Sequence, residues 1–471
     1  MSRTIIMGAG PAGLAAGYRL SKNGEEVALL EADSMVGGIS KTIQYRGYYF
    51  DLGGHRFFTK FNEVNEFWNE ILGGQFVRTP RLSRIYYRNK FFNYPLTPMN
   101  ALFGVGLWTT FVITGSYIKS RLFPYPEEDT FEQWVSNRFG KKLYSIFFKT
   151  YTEKVWGIPC SKLGAEWSAQ RIKGLSLSSA IVNALFKPKN TKIKTLIDEF
   201  HYPVHGPGMM YTAVKNRIEM AGGQIFLNSR VVKVKHRDFK VQSVEYLDEK
   251  GASRQAGGDY FISSIPITEL VFSLDPLPEE RILEAARNLK YRSFLTVDLI
   301  INKKTLFPDN WIYIHSPEVK LGRIQNFKNW SSKMVPDPEK TSLGLEYFCN
   351  ENDELWRMPD QELFQLAAKE LERIKICSPD EIEDFTVVRV PKAYPVYEMG
   401  YQDNIAQIKD YLKKFTNLQA VGRYGLFKYN NMDHSILTGF YAAQNILEGK
   451  AVYDTWEVNT EEEYHEEKKA E

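Results

Sequence analysis

The chain has 471 residues, 43% hydrophobic and 25% charged, with 60 Lys and Arg against 57 Asp and Glu for a net charge of +3. These proportions exclude a disordered or fibrous chain, and the near-neutral balance gives no electrostatic reason to expect a nucleic-acid partner. The length exceeds what one simple core organises, so two sequential or interleaved domains are expected.

Three cysteines, Cys160, Cys349 and Cys377, show neither a disulfide framework nor a metal-ligand spacing, and no metal site is expected. The first strand begins at Thr4, so no signal peptide and a reduced, cytoplasmic setting are expected.

Thr4 to Met7 reads as a short buried strand, and Gly8-Ala9-Gly10-Pro11-Ala12-Gly13 supplies G-x-G-x-x-G. Leu14 to Lys22 reads as a helix stopped by Asn23-Gly24, and Val27 to Leu30 as a second strand ending at Glu31 and Ala32. Gly8 allows the tight turn, Gly10 lets backbone approach a pyrophosphate, and Gly13 lets helix and strand pack closely. The helix N-terminus offers free N–H groups to phosphates, and Glu31 lies at the distance of a ribose-binding acid. The strand, turn, helix and acid together point to dinucleotide binding.

Two glycine doublets follow, Gly37-Gly38 and Gly53-Gly54, the second before His55. They suggest backbone passing close to a large flat ligand. Arg78 to Phe92 alternates and reads as strands; Leu96 to Phe123, Thr130 to Tyr151 and Ala165 to Leu185 read as helices. Within them, residues 101–118 carry no charge over nearly a membrane span. The scattered Gly, Thr and Ser favour a buried or surface-docked helix, and a membrane-facing patch stays open. Phe186 to Lys194 reads as a solvated lysine-rich loop.

Met209 to Ala221 reads as a helix, followed by strands at Gln224 to Leu227, Val231 to Val234, Val241 to Leu247 and Tyr260 to Pro266. This return is expected to complete the nucleotide-binding sheet. Leu418 to Arg423 reads as a late strand and Thr438 to Leu447 as a closing helix. The expected fold class is α/β, a Rossmann-like sheet assembled from three chain segments plus a mixed α+β substrate domain with a helical insertion.

Asp51-Leu52-Gly53-Gly54-His55 and the segment from Gly422 to Ser435 (GRYGLFKYNNMDHS) are more specific. On them the chain resembles the flavoproteins that include UDP-galactopyranose mutases, and more distantly protoporphyrinogen and amine oxidases. The resemblance implies FAD as resident cofactor, held by Gly8, Gly10, Pro11, Ala12, Gly13, Glu31, Ala32, Gly37, Gly38, Gly53, Gly54, His55, Val231, Gly422, Arg423 and Asp433. His55 and Arg423 would lie against the flavin ring, and Asp433 near its ribityl chain and pyrophosphate. The implied division is an FAD-binding domain of residues 1–77, 200–275 and 405–450, a substrate domain of 78–199 and 276–404, and a disordered acidic tail from 451 to 471.

The same resemblance implies a UDP-sugar substrate. Tyr151 would stack on uracil and Trp156 border the sugar; Arg171 and Arg323 would clamp the diphosphate, helped by Tyr394 and Tyr429, with Asn431 beside them. Two arginines and neutral tyrosine donors suit a departing pyrophosphate, which needs preorganised donors in a water-poor site. In such mutases N5 of the reduced flavin carries the covalent step, with no net redox. Only one dinucleotide fingerprint is present, so NAD(P)H would visit transiently as reductant.

The departures lie around the sugar and diphosphate. Arg171 is followed by Ile172-Lys173-Gly174-Leu175, Phe427 replaces a tyrosine of bacterial mutases, and Asn431 replaces an aspartate. The alternative is therefore an FAD oxidoreductase, an oxidase or desaturase acting on a lipid, amine or porphyrinogen. A flavin-bound scaffold is a third, non-enzymatic reading. The sugar and the oligomeric state stay open.

Overall fold

A computed structural model describes residues 2–94, 96, 100, 104–165 and 199–459. At its centre is a five-stranded parallel sheet in the order Leu418–Ala420, Tyr260–Ser263, Arg3–Met7, Glu26–Leu30, Gln224–Phe226. Both faces are covered, so its strands are continuous apolar runs rather than alternating ones. Ile6 and Leu29 pack on one side under the helices Pro11–Lys22, Gly208–Met220 and Met432–Leu447, while Ile5, Met7, Ala28 and Leu30 face the other. A Cβ on Gly439 would lie 2.2 Å from the Ala12 carbonyl oxygen, so only glycine lets the last helix lie this close to the first.

The β-rich return divides. Gln224–Phe226 and Tyr260–Ser263 join the parallel sheet, but Arg230–Arg237, Lys240–Leu247, Ser253–Gly257 and Leu274–Asp275 form a separate four-stranded sheet. Leu418–Ala420 ends earlier than expected because Gly422 (φ +79°) opens a helical turn, Gly422–Gly425.

A seven-stranded sheet runs Ile382–Pro395, Tyr291–Ile301, Thr341–Cys349, Arg323–Asn326, Trp311–Ile314, Ser83–Tyr87, Lys90–Asn93. The helix expected over Thr130 to Tyr151 is instead Phe131–Phe139, Lys141–Tyr144, a wide turn over Ser145–Lys149, and Thr150–Trp156. Gly140 makes the break. Its φ is +81°, and a Cβ there would meet the Tyr117 Cα at 2.8 Å, where the Leu107–Leu122 helix crosses. Among the described residues no helix is long and apolar enough to cross a membrane.

Residues 451–459 are not a tail. Thr455–Glu457 forms a helical turn, Trp456 is buried, and the Lys428 ammonium donates to the Val458 carbonyl at 3.0 Å and to that of Trp456. The expected helix over Ala165 to Leu185 and the loop after it fall outside the described residues from residue 166 onward, as do 460–471.

Candidate active site

One cavity of about 640 Å³ runs from the carboxyl ends of the parallel strands to the seven-stranded sheet. Gly8, Gly10, Pro11, Ala12, Glu31, Ala32, Gly38, Gly53, Gly54, His55, Val231, Gly422, Arg423, Asn431 and Asp433 line it. Arg323, Tyr394 and Tyr429 line its far end. Gly13 stands behind the wall, where an added Cβ would sit 2.0 Å from the Gly8 carbonyl oxygen. Gly37 is likewise behind it, donating its N–H to the Ala9 carbonyl at 2.8 Å. Arg171 lies outside the described residues.

At the near end the Pro11–Lys22 helix begins without a side-chain cap or an acid in its first turn, so its N–H groups and positive dipole end face the cavity. Glu31 is fixed beside it, accepting from the Ala9 N–H at 2.6 Å and the Asp33 N–H at 2.9 Å. Burial raises its pKa, while those two backbone bonds pull the other way. Gly10 and Gly38 approach backbone to backbone: a Cβ on Gly10 would be 3.9 Å from the Gly38 Cα.

In the middle, Gly53 turns with φ +98°, and Gly54 passes the Trp330 ring, which a Cβ would meet at 3.1 Å. His55 opens part of its ring to the cavity while Nδ1 is enclosed. Burial, with the positive charges of Arg423 and Arg323, pushes its pKa down to about 3, so the ring is neutral. Opposite, Asp433 lies in the first turn of the Met432–Leu447 helix and is 3% exposed.

At the far end Tyr394 and Tyr429 stack in parallel, centroids 5.7 Å apart. The Arg423 guanidinium lies 4.7 Å over Tyr429, and its Nε–H donates to the Asn430 carbonyl at 2.9 Å. Arg323 Nη2 is 3.4 Å from the Tyr394 hydroxyl.

Besides Gly13 and Gly37, two sequence-expected residues among the described ones, Tyr151 and Trp156, do not line the cavity. Tyr151 is stacked at 4.7 Å and 6° on His315, a residue with no motif around it, so one face of its ring is occupied. Trp156 is 2% exposed, in ring contact with Tyr397 at 6.3 Å and Tyr429 at 6.4 Å.

Other residues were missed. Arg56, Tyr94 and Tyr313 line the cavity, and Arg81 is cradled between Tyr94 and Trp311, 5.5 Å from each ring. Nε and Nη2 of Arg81 are enclosed and have no hydrogen-bond partner among the described residues. Arg56 lies 4.7 Å over the Trp311 ring. Only the aromatic-rich alternation of Arg78 to Phe92 hinted at this wall. Lys392 and Glu269, paired with each other, line another stretch and carry no sequence signature.

The chain matches the family described as flavin containing amine oxidoreductase over residues 11–447. It is 22% identical over 480 residues to the L-amino-acid oxidase of Demansia vestigiata, covering 94% of this chain and 86% of that one. In structure it is similar to reduced UDP-galactopyranose mutase, with a TM-score of 0.83, 20% identity and 98% of both chains covered. It also resembles the Exiguobacterium protein solved as a candidate protoporphyrinogen oxidase, at TM-score 0.72 and 17% identity over 95% and 99% of the two chains.

The residues present fit FAD. The uncapped helix end and Gly10–Gly38 approach suit a pyrophosphate, Glu31 a ribose, and the side-chain-free Gly53-Gly54 backbone a flat ring. The chain belongs to the flavin-containing amine oxidoreductase family and its cofactor is FAD.

Proposed function

We propose that the protein is an FAD-dependent mutase that interconverts pyranose and furanose forms of a UDP-sugar without net redox. The observation that carries this reading is the convergence, at one end of the cavity, of Arg323, Arg423 and the stacked Tyr394–Tyr429 pair, with Arg56 on the same wall and Arg81 packed on the lining ring of Tyr94. A diphosphate needs several charge-assisted donors, and these groups supply both cations and neutral hydroxyls. The fold shared with reduced UDP-galactopyranose mutase supports it.

Bound and reduced, FAD would supply an electron-rich ring nitrogen as the nucleophile that this chemistry requires. The protein's part is positioning and charge. Arg423, Tyr394 and Tyr429 hold the diphosphate as the glycosidic C–O bond breaks, so negative charge develops against preorganised donors. Arg171 is assigned to the same diphosphate from its place in the chain. Neutral His55 offers the flavin ring a hydrogen-bonding edge without adding a third positive charge beside Arg323 and Arg423. Asn431 is assigned to the sugar, Trp156 to the packing behind Tyr429, and Tyr151 to uracil from its place in the chain.

An FAD oxidoreductase is the second reading, favoured by the L-amino-acid oxidase relatives. Incubating dithionite-reduced protein anaerobically with UDP-hexoses and UDP-N-acetylhexosamines separates the two. An equal-mass isomer formed only with reduced flavin is the expected result. Oxygen consumption with an amino acid or amine, and no isomer, would establish the oxidoreductase.

A further inference from the structure

The helix Leu107–Leu122 is amphipathic in the wrong sense for water. At 3.6 residues per turn, Leu107, Trp108, Phe111, Val112, Gly115, Ile118, Lys119 and Leu122 fall within an arc of roughly 140°. That arc faces outward: Leu107 is 71% exposed, Trp108 78%, Phe111 72% and Leu122 68%, and Phe123 follows at 77%. The inward arc carries Thr109, Thr110, Ser116, Tyr117 and Ser120 around a single buried aliphatic, Ile113. Surface helices of globular proteins show the opposite distribution, and a contiguous exposed patch of this kind marks an interaction site.

The charges around the patch identify what covers it. Residues 104–125 contain no acid. Lys119 lies within the arc near one edge and Arg121 just outside the other, both exposed. Exposed Lys141 and Lys142 stand on the short neighbouring helix, where the Lys142 N–H donates to the Ser116 hydroxyl at 3.0 Å. The next acids in sequence, Glu127 and Glu128, lie beyond Pro124 and Pro126, and Glu128 is paired with Arg138 at 2.7 Å. A two-fold pairing of this helix with a second copy would set a basic rim against itself, with no carboxylate on the helix to complement it. Trp, Phe and Leu on one face flanked by Lys and Arg is the composition of a helix that lies in a bilayer interface.

We propose that the Leu107–Leu122 helix docks the protein on an anionic phospholipid surface, its apolar arc in the headgroup–acyl boundary and Lys119, Arg121, Lys141 and Lys142 against lipid phosphates. The helix lies on the membrane rather than crossing it. The inference does not depend on the mutase reading.

The test is flotation of the full-length FAD-loaded protein with vesicles of phosphatidylcholine alone or mixed equally with phosphatidylglycerol, beside sedimentation without lipid. The expected result is binding to the mixed vesicles at least roughly tenfold stronger than to phosphatidylcholine, weakening as salt rises. Binding should be lost in Trp108→Ser/Phe111→Ser and reduced roughly tenfold in Lys119→Gln/Arg121→Gln, with flavin content and sedimentation unchanged. Absence of binding to mixed vesicles overturns the proposal, as does binding that survives Trp108→Ser/Phe111→Ser. A dimer that this double substitution dissociates, without vesicle binding, would give the face to a second copy instead.

Discussion

Arg323 and Glu346 stand directly opposite each other on adjacent antiparallel strands, joined by two side-chain hydrogen bonds, of which Nε to Oε1 is 2.7 Å. Glu346 is 0% exposed and also accepts from Gln325 Nε2 at 2.8 Å. The pair is therefore neutral as a unit, and Arg323 serves the site by fixed geometry more than by net charge.

Arg323→Ala is expected to destabilise the protein by about 3–5 kcal/mol, because it leaves a buried carboxylate without its cation. Arg323→Met/Glu346→Gln should recover most of that loss while UDP binding stays weak. Denaturant unfolding of the single and double variants beside UDP titration reads both effects; full additivity of the stability losses would refute the coupling.

Among the described residues, the enclosed Nε and Nη2 of Arg81 have no hydrogen-bond partner. Arg81→Met should keep the aromatic packing against Tyr94 and Trp311 and leave flavin content unchanged. UDP affinity is expected to fall roughly tenfold to a hundredfold, with a shallower salt dependence, the scale of one charge-assisted hydrogen bond. Titration calorimetry at two salt concentrations measures it.

Glu31 holds the turn as well as facing the cavity. Glu31→Gln keeps the size but replaces one acceptor oxygen with a donor facing either the Ala9 or the Asp33 N–H. FAD affinity should fall about tenfold or more, since bonds to a charged acceptor are worth roughly 1.5–3 kcal/mol. Flavin absorbance after exhaustive dialysis is the readout.

The dinucleotide end of this cavity was legible in the sequence because its chemistry is local. A glycine turn, an uncapped helix start and an acid at the next strand end all fall between Gly8 and Glu31. The far end was legible only in part. Glu346 sits in a strand, Thr341–Cys349, that is buried throughout, so nothing in its surroundings marks it as a partner for Arg323. The His315–Tyr151 stack joins residues far apart in the chain, and the break at Gly140 follows from a helix crossing rather than from local propensity. Tertiary packing decided these features.

His315 gives the protein an acid-sensitive step. The residue is 5% exposed, and burial, aided by the Lys154 charge, pushes its pKa down to about 3. Unfolded, it takes a proton below about pH 6.5, while the native ring stays neutral to about pH 3. Its effect is thus absent above pH 6.5, and stability is lost as pH falls from 6.5 toward 3, on the order of 5 kcal/mol over the window. His315→Phe keeps a flat ring against Tyr151 and should flatten that part of the pH–stability curve; an unchanged slope in urea unfolding would refute the assignment.

The order of strands in the parallel sheet also dictates how the protein is made. Arg3–Met7 is synthesised first, yet one of its two partners is Tyr260–Ser263, whose own outer neighbour is Leu418–Ala420. A growing chain on the ribosome therefore carries an open strand edge until Tyr260–Ser263 has emerged, and such edges invite wrong pairings. The cavity lining from Gly422 to Ser435 follows only after that outer strand. Cofactor capture consequently waits for the segment from Leu418 to Ser435, and a chain cut short before Leu418 would be a client for chaperones rather than a smaller flavoprotein.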